Sequence, residues 1–261
     1  MVIVVISTGK ATSRRRRRAT LLTEFEPDQA YLTGRDESRL VTLVDGHRLL
    51  PQVAAAFDDL SSDARAAGFD LAIASSFRSF ERQCAIWNGK AQGQRTVHGD
   101  SGVILQRTEL SQEQWLHAIL RFSALPGTSR HHWGSDLDVY DAAAMAGDYQ
   151  VQLTPQEVAS GGVFDALHCW LDERMATDQS HGFYRPYAVD RGGVAPERWH
   201  LSYAPVARSC ESCLSVRTLH LAWDSLAVQQ RLLLRELVEE DLEQILARYV
   251  TVAPDWCPSD Y

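Results

Sequence analysis

The chain has 261 residues, 45% of them hydrophobic and 23% charged, enough apolar material for a buried core, and these values exclude collagenous and fully disordered classes. No apolar run approaches the roughly 20 residues that a spanning helix needs, so no membrane partner is expected. The net charge of −8, reached despite five consecutive arginines at Arg14–Arg18, argues against a nucleic-acid partner.

Residues 1–25 read as a flexible basic arm. The short apolar stretch Met1–Ser7 precedes the arginines, the reverse of the order in a secretory signal. Cys84, Cys169, Cys210, Cys213 and Cys257 are odd in number and lack framework spacing, which fits a reducing compartment. A cytoplasmic location is therefore expected, in preference to a periplasmic one.

Residues 26–205 read as one globular domain. Leu49, Leu50, Val53, Ala54, Phe57, Leu60 and Ala64 have the spacing of an amphipathic helix, and Leu71–Ala74 has strand length and composition. Helical patterns return over Ser79–Trp87 and Gln112–Phe122, separated by a long Gly/Gln/Thr-rich loop at 88–110. Asp136–Tyr140 alternates as a strand, with Asp136, Asp138 and Tyr140 on one face and Leu137 and Val139 on the other. Phe164–Met175 reads as a helix and 182–196 as a Gly/Pro-rich turn region. Arg198–Tyr203 reads as a strand with Trp199, Leu201 and Tyr203 on its apolar face. Beyond this, residues 206–261 form a helical C-terminal extension, in which Leu226, Leu233, Leu237, Leu242, Ile245 and Tyr249 mark one long or two short helices. The mixed order predicts an α+β fold: a small antiparallel sheet with flanking helices plus that extension.

Of the nine histidines, most stand alone. The exception is Ser129-Arg130-His131-His132-Trp133-Gly134-Ser135-Asp136-Leu137-Asp138, where Gly134 can fold Asp138 back toward His131. A second segment, Glu197-Arg198-Trp199-His200, supplies another histidine with an acid three residues earlier. Two histidines and one carboxylate leave a fourth tetrahedral position open, the arrangement of catalytic rather than structural zinc. The spacings alone also admit unconnected loop residues. On a regular strand Glu197 and His200 point to opposite faces, but Pro196 keeps Glu197 in a loop from which it can curl back. Cys210-Glu-Ser-Cys213 has a zinc-knuckle gap but no second pair, and reads as incidental.

Three blocks in order, Ser75-Ser76-Phe77-Arg78-Ser79 followed by Gln83, then Ser129–Asp138, then Glu197–His200, resemble the VanY-type zinc D-Ala-D-Ala carboxypeptidases of the lysostaphin, D-Ala-D-Ala peptidase and hedgehog fold group. The resemblance covers about residues 40–205. It implies that His131, Asp138 and His200 bind one Zn²⁺, that Glu197 is the catalytic base, and that Arg78 faces the substrate, at the oxyanion or a carboxylate. Gln83 and Ser129 are its further substrate-binding candidates; alternatively Gln83 is a surface glutamine and Ser129 shapes the loop. Asp136 stands where the family pattern has alanine, and either supports a ligating histidine or competes as a ligand; His132, beside His131, raises the same question. Phe77 replaces the usual tyrosine. Tyr184, Arg185 and Tyr187 are either cleft-lining or turn residues.

The expectation is a peptide hydrolase acting on peptidoglycan-derived stem peptides, a zinc carboxypeptidase releasing C-terminal D-alanine. A cytoplasmic location favours L,D-carboxypeptidase action on tetrapeptides in recycling over D,D-carboxypeptidase or D-Ala-D-Ala dipeptidase action. An endopeptidase and a noncatalytic zinc-dependent binding domain are the competing readings; the presence of Glu197 speaks against the last.

Overall fold

The computed structural model describes residues 27–252, so the basic arm expected at 1–25 lies outside the described residues. A short helix α1 (Gln29–Leu32) and a two-stranded hairpin, β1 (Val41–Thr42) and β2 (Arg48–Leu49), lead into α2 (Pro51–Ala66). The central sheet has four strands in the order β3 (Leu71–Ser75), β4 (Asp136–Asp141), β6 (His200–Tyr203), β5 (Phe183–Tyr184), every neighbour antiparallel. Between β3 and β4 lie α3 (Phe80–Ala91) and α4 (Gln112–Phe122); between β4 and β5 lie α5 (Pro155–Val158) and α6 (Asp165–Ala176). This is the α+β architecture expected, and among the described residues no helix is long and apolar enough to cross a membrane.

Alternation along the strands divides the sheet into two chemically different faces. Leu71, Ile73, Leu137, Val139 and Leu201 join one core cluster with Val53, Phe57 and Leu60 of α2 and Leu167 and Leu171 of α6. Burying these side chains removes apolar area from water at about 25 cal/mol per Å². The intervening residues, Asp136, Asp138, His200 and Ser202, are buried polar groups, and such groups are tolerated only where partners meet them.

A second apolar cluster is built by Phe80, Cys84, Trp87 and Ala91 of α3, at helical spacing, against Trp115, Leu116, Ile119 and Leu120 of α4. Polar cap groups fix both helices: Ser79 Oγ accepts from the Arg82 amide, and Ser111 and Gln114 form a reciprocal capping box.

The extension differs from expectation in two ways. Its first helix, α7 (Ala204–Cys213), straddles the expected boundary at 205/206, and Val206, Ala207 and Cys210 belong to the main core. Among its described residues the remainder holds three short α-helices, α8 (Val216–Asp224), α9 (Arg235–Glu240) and α10 (Leu242–Tyr249), with a 3-10 turn at Val228–Gln230. Leu219, Trp223, Val238 and Ile245 of these helices complete the α3–α4 cluster. Leu234, with a left-handed φ of 61°, stands immediately before α9 and separates it from the segment that follows α8. Two further differences concern the sheet. Strand β5 falls inside the expected turn region, and Trp199 lies before β6 and packs on Val158 and Phe164 instead of beside Leu201. The loop expected from 88 starts only after Ala91 and contains one 3-10 turn, Arg107–Glu109.

Gly34 follows α1 with φ 74°, and a Cβ there would lie 2.4 Å from Nδ1 of His132. Gly34→Ala therefore combines a strained backbone with a clash against a buried ring. We expect a loss of about 2 kcal/mol or more in denaturant unfolding; an unchanged midpoint would show that the ring can move aside.

Candidate active site

Arg130–Trp133 form a single 3-10 turn that Gly134 ends at φ 63°, where a Cβ would meet Leu40 Cδ2 at 2.5 Å. The chain reverses there into β4. In register, Asp138 pairs with His200 of β6 on one side and with Ser75 of β3 on the other, where the β3 ladder is irregular between Ile73 and Ser75. Cross-strand partners on one face are near neighbours, so Asp138 and His200 lie side by side while His131 reaches them from the preceding turn.

His131, Asp138 and His200 are all buried, and one ligand atom from each can be chosen with all three within 4.8 Å of one another. His131 Nε2 is 3.3 Å from Asp138 Oδ2, and His200 Nδ1 is 3.3 Å from Asp138 Oδ1. Each is the separation, about 3.3 Å, of two ligand atoms on one ion with 2.0–2.1 Å bonds, and the two end on different oxygens of the carboxylate. Asp138 Oδ1 is buried without a hydrogen-bond partner, an expense that a cation would offset. Burial alone would raise the Asp138 pKa, but His131 and His200 hold it well below the usual carboxylate range. Burial also disfavours a charged His200, yet Asp136, Asp138 and Glu197 push its pKa well above an ordinary imidazole. The residues present therefore fit a single divalent ion, with zinc the natural occupant of a two-histidine, one-carboxylate set.

The far side of both histidines is governed by Asp136. His131 Nδ1–H donates to the Asp136 carbonyl at 3.2 Å, and His200 Nε2–H donates to Asp136 Oδ1 at 3.0 Å. Each bond fixes a tautomer that leaves the other nitrogen's lone pair for the ion. Asp136 thus supports the ligands and does not compete with them. Its carboxylate also accepts from Arg130 Nε at 2.8 Å and from Ser135 Oγ at 2.6 Å. Burial works against its charge, but Arg130 and these hydrogen bonds keep the pKa well below the carboxylate range. His132 points elsewhere: Nδ1–H donates to the Arg78 carbonyl at 2.6 Å and Nε2 accepts from the Gly127 amide at 3.2 Å. Burial pushes its pKa down to about 3, so it stays neutral, with both nitrogens committed.

Glu197 lies in the turn before β6. Its amide donates to the Tyr187 carbonyl, its carbonyl accepts from the His200 amide, and its Oε2 stands 3.5 Å from His200 Nδ1. Arg78 is tied to the ligand segment through its amide, which donates to the His131 carbonyl at 3.0 Å. Its guanidinium donates to Gln83 Oε1 at 3.0 Å and Ser75 Oγ at 3.4 Å. Gln83 was expected to meet substrate, but it is wholly buried behind Arg78, and its Nε2 donates to the Ala124 carbonyl at 2.6 Å. It positions the arginine. Ser129, Arg78, Glu197 and the three ligands all line one cleft of about 550 Å³.

Of the three aromatic and basic candidates near 185, only Tyr187 lines that cleft, with its ring 5.2 Å from that of His200. Tyr184 instead binds Arg130, and Arg185 pairs with Asp172. Cys210 is buried in the core while Cys213 is exposed, so they form no metal pair. Sequence reasoning missed Arg130, Lys90 and Tyr249. Arg130 sat unremarked inside the ligand block; Lys90 and Tyr249 line the cleft from distant helices and carry no local motif.

The family model of VanY, D-alanyl-D-alanine carboxypeptidase, matches residues 46–206. An uncharacterized protein of Haemophilus influenzae is 46% identical over 98 residues, 36% of this chain and 67% of that protein. A D-alanyl-D-alanine carboxypeptidase of Enterococcus faecalis is 27% identical over 170 residues, 64% of this chain and 52% of the relative. Among solved structures, VanYB in complex with D-Alanine-D-Alanine aligns at TM-score 0.46 with 23% identity, over 66% of this chain and 80% of that one.

Asp136→Asn keeps the shape of the side chain but removes the charge that pairs with Arg130 and anchors His200. We expect zinc affinity to fall about 10- to 100-fold in competition with a chromophoric chelator. Wild-type affinity in this variant would refute an orienting role for Asp136.

Proposed function

Because the chain belongs to the VanY family of D-alanyl-D-alanine carboxypeptidases, we propose that it is a zinc peptidase releasing C-terminal D-alanine from peptidoglycan stem peptides. Our preferred substrate is a tetrapeptide, cut at its L,D bond, in cytoplasmic recycling. The observation that carries the reading is the convergence on one cleft of a three-ligand ion site, Glu197 beside it and Arg78 facing it. A bound zinc ion supplies Lewis acidity, lowering the pKa of a water to roughly 7 and polarising the scissile carbonyl.

The remaining roles fall to side chains. Glu197 Oε2, 3.5 Å from the ligating nitrogen of His200, is placed to take a proton from the attacking water and pass it to the leaving amine. Arg78, held by Gln83 and Ser75, presents its remaining N–H donors to the oxygen on which charge develops. A noncatalytic binding domain would have no use for a carboxylate at the position of Glu197.

The L,D preference rests on the expected location, because wall fragments returned to the cytoplasm are typically tetrapeptides. Cleavage of the D,D bond is the second reading, favoured by the activity for which the family is named. Mass spectrometry after incubation with a tetrapeptide and a pentapeptide, each with a chelator control, decides between them. We expect loss of one alanine from the tetrapeptide, abolished by chelator. Trimming of the pentapeptide alone would assign the D,D bond. Glu197→Gln should lower kcat by at least about 10²-fold with zinc still bound, and unchanged turnover would remove Glu197 from the mechanism.

A further inference from the structure

Lys90, in the last turn of α3, lines the catalytic cleft. Its ammonium donates to Ser123 Oγ at 2.6 Å, and the Ser123 hydroxyl proton is itself directed to the Phe122 carbonyl at 2.8 Å. Ser123 is therefore a fixed acceptor, and it steers Nζ to one place. The backbone behind it is held as well, because Trp115 Nε1 donates to the Lys90 carbonyl at 3.1 Å.

Among the described residues Lys90 has this one side-chain partner and no ion pair. An ammonium in a partly buried cleft with a single neutral acceptor is poorly compensated, and an anion brought to it recovers the deficit. Burial lowers its pKa, Glu197 opposes the shift, and Arg78 and Arg95 add to it, leaving a value of about 8. At neutral pH it is still mainly a cation. Both cations line the one cleft, but on separate anchors, Arg78 on Gln83 and Ser75 and Lys90 on Ser123.

We propose that Lys90, steered by Ser123, receives the free C-terminal carboxylate of the substrate peptide, leaving Arg78 for the carbonyl oxygen under attack. The inference rests on the peptidase reading above and supplies what that reading lacks, a group that distinguishes a chain end from an internal bond. An ammonium with two uncommitted N–H donors suits a carboxylate whose approach angle varies with the last side chain. A guanidinium already locked by Gln83 and Ser75 suits the fixed position of a developing oxyanion.

The test uses zinc-loaded Glu197→Gln protein, so that binding is read without turnover. N-acetylated dipeptides ending in D-alanine, one with an L and one with a D penultimate residue, are titrated calorimetrically as free acids and as carboxamides. We expect the acid to bind about 10- to 100-fold more tightly than the amide. Adding Lys90→Met should bring the two within about threefold, and Lys90→Arg should restore most of the difference. Ser123→Ala, which leaves the charge but removes the steering hydroxyl, should reduce the preference partway, and it serves as the test if Lys90→Met does not fold. Retention of the full acid preference in Lys90→Met, or no preference in the parent, would overturn the proposal and leave Lys90 as a partner of the α3 dipole. A Lys90-dependent acid preference in a protein whose wild type cleaves neither peptide would sink the peptidase reading and leave carboxylate recognition standing.

Discussion

The buried ion pair between Arg130 and Asp136 is the contact on which the site depends. Both side chains are almost wholly removed from water, at 2% and 0% exposure, and ions so placed cost several kcal/mol each unless every lone pair and N–H finds a partner. Here they do. Arg130 reaches Asp136 with Nε, Tyr184 Oη and Ser202 Oγ with Nη2, each at 2.7 Å, and Glu211 with Nη1. Its face also lies 4.8 Å from the centre of the Trp133 ring. One guanidinium thereby joins the ligand turn to β4, β5, β6 and α7. Asp136 turns that rigidity into metal chemistry, by holding one histidine through its carbonyl and the other through its carboxylate.

This pattern explains why the α+β class and most elements were legible in sequence while some boundaries were not. Helix α4 was read from Gln112 to Phe122 on its apolar stripe, and the Ser111–Gln114 capping box fixes its start. Strand β4 was legible because its alternation survives burial on both faces: Leu137 and Val139 enter the apolar core while Asp136 and Asp138 meet polar partners. Strand β5 was not, since two residues after a glycine carry no periodicity. It exists because Phe183 and Tyr184 pair with Tyr203 and Ser202 and because Tyr184 must meet Arg130. Likewise α7 reads as the start of an extension, yet Val206, Ala207 and Cys210 pack into the main core and Glu211 pairs with Arg130. The ligand triad was visible because three short blocks carry it. The role of Gln83 was not, because a helical glutamine gives no local sign of which groups will occupy its amide.

Residues beyond the family match at 206 still shape the cleft. Trp87 Nε1 donates to the Leu233 carbonyl at 2.8 Å, and Asn88 both donates to the Arg231 carbonyl and accepts from the Leu233 amide. Trp223 Nε1 donates to the Pro126 carbonyl at 2.9 Å, close to the start of the ligand loop. These bonds fasten the segment between α8 and α9 to α3, and α8 to the loop that follows α4. The end of α10 then brings Tyr249 to the cleft wall, its hydroxyl 2.9 Å from His117 Nδ1. The extension is therefore a wall of the site as well as a cover for the second core.

His131 and His132 show how one turn separates two identical side chains into opposite duties. In a 3-10 turn successive residues are about 120° apart, so a ring facing the cleft forces its neighbour into the interior. There His132 meets Gly127 and the Arg78 carbonyl, and the absence of a side chain at Gly34 makes room for its ring. With both nitrogens used and its pKa driven down by burial, it can neither ligate nor take a proton near neutrality. The same bond that retires His132 from metal chemistry fixes the backbone of Arg78, and the Arg78 amide in turn holds the His131 carbonyl. Ligand, arginine and the buried imidazole are thus linked by main-chain bonds. The position of the guanidinium relative to the ion site is set by the fold, before any substrate arrives.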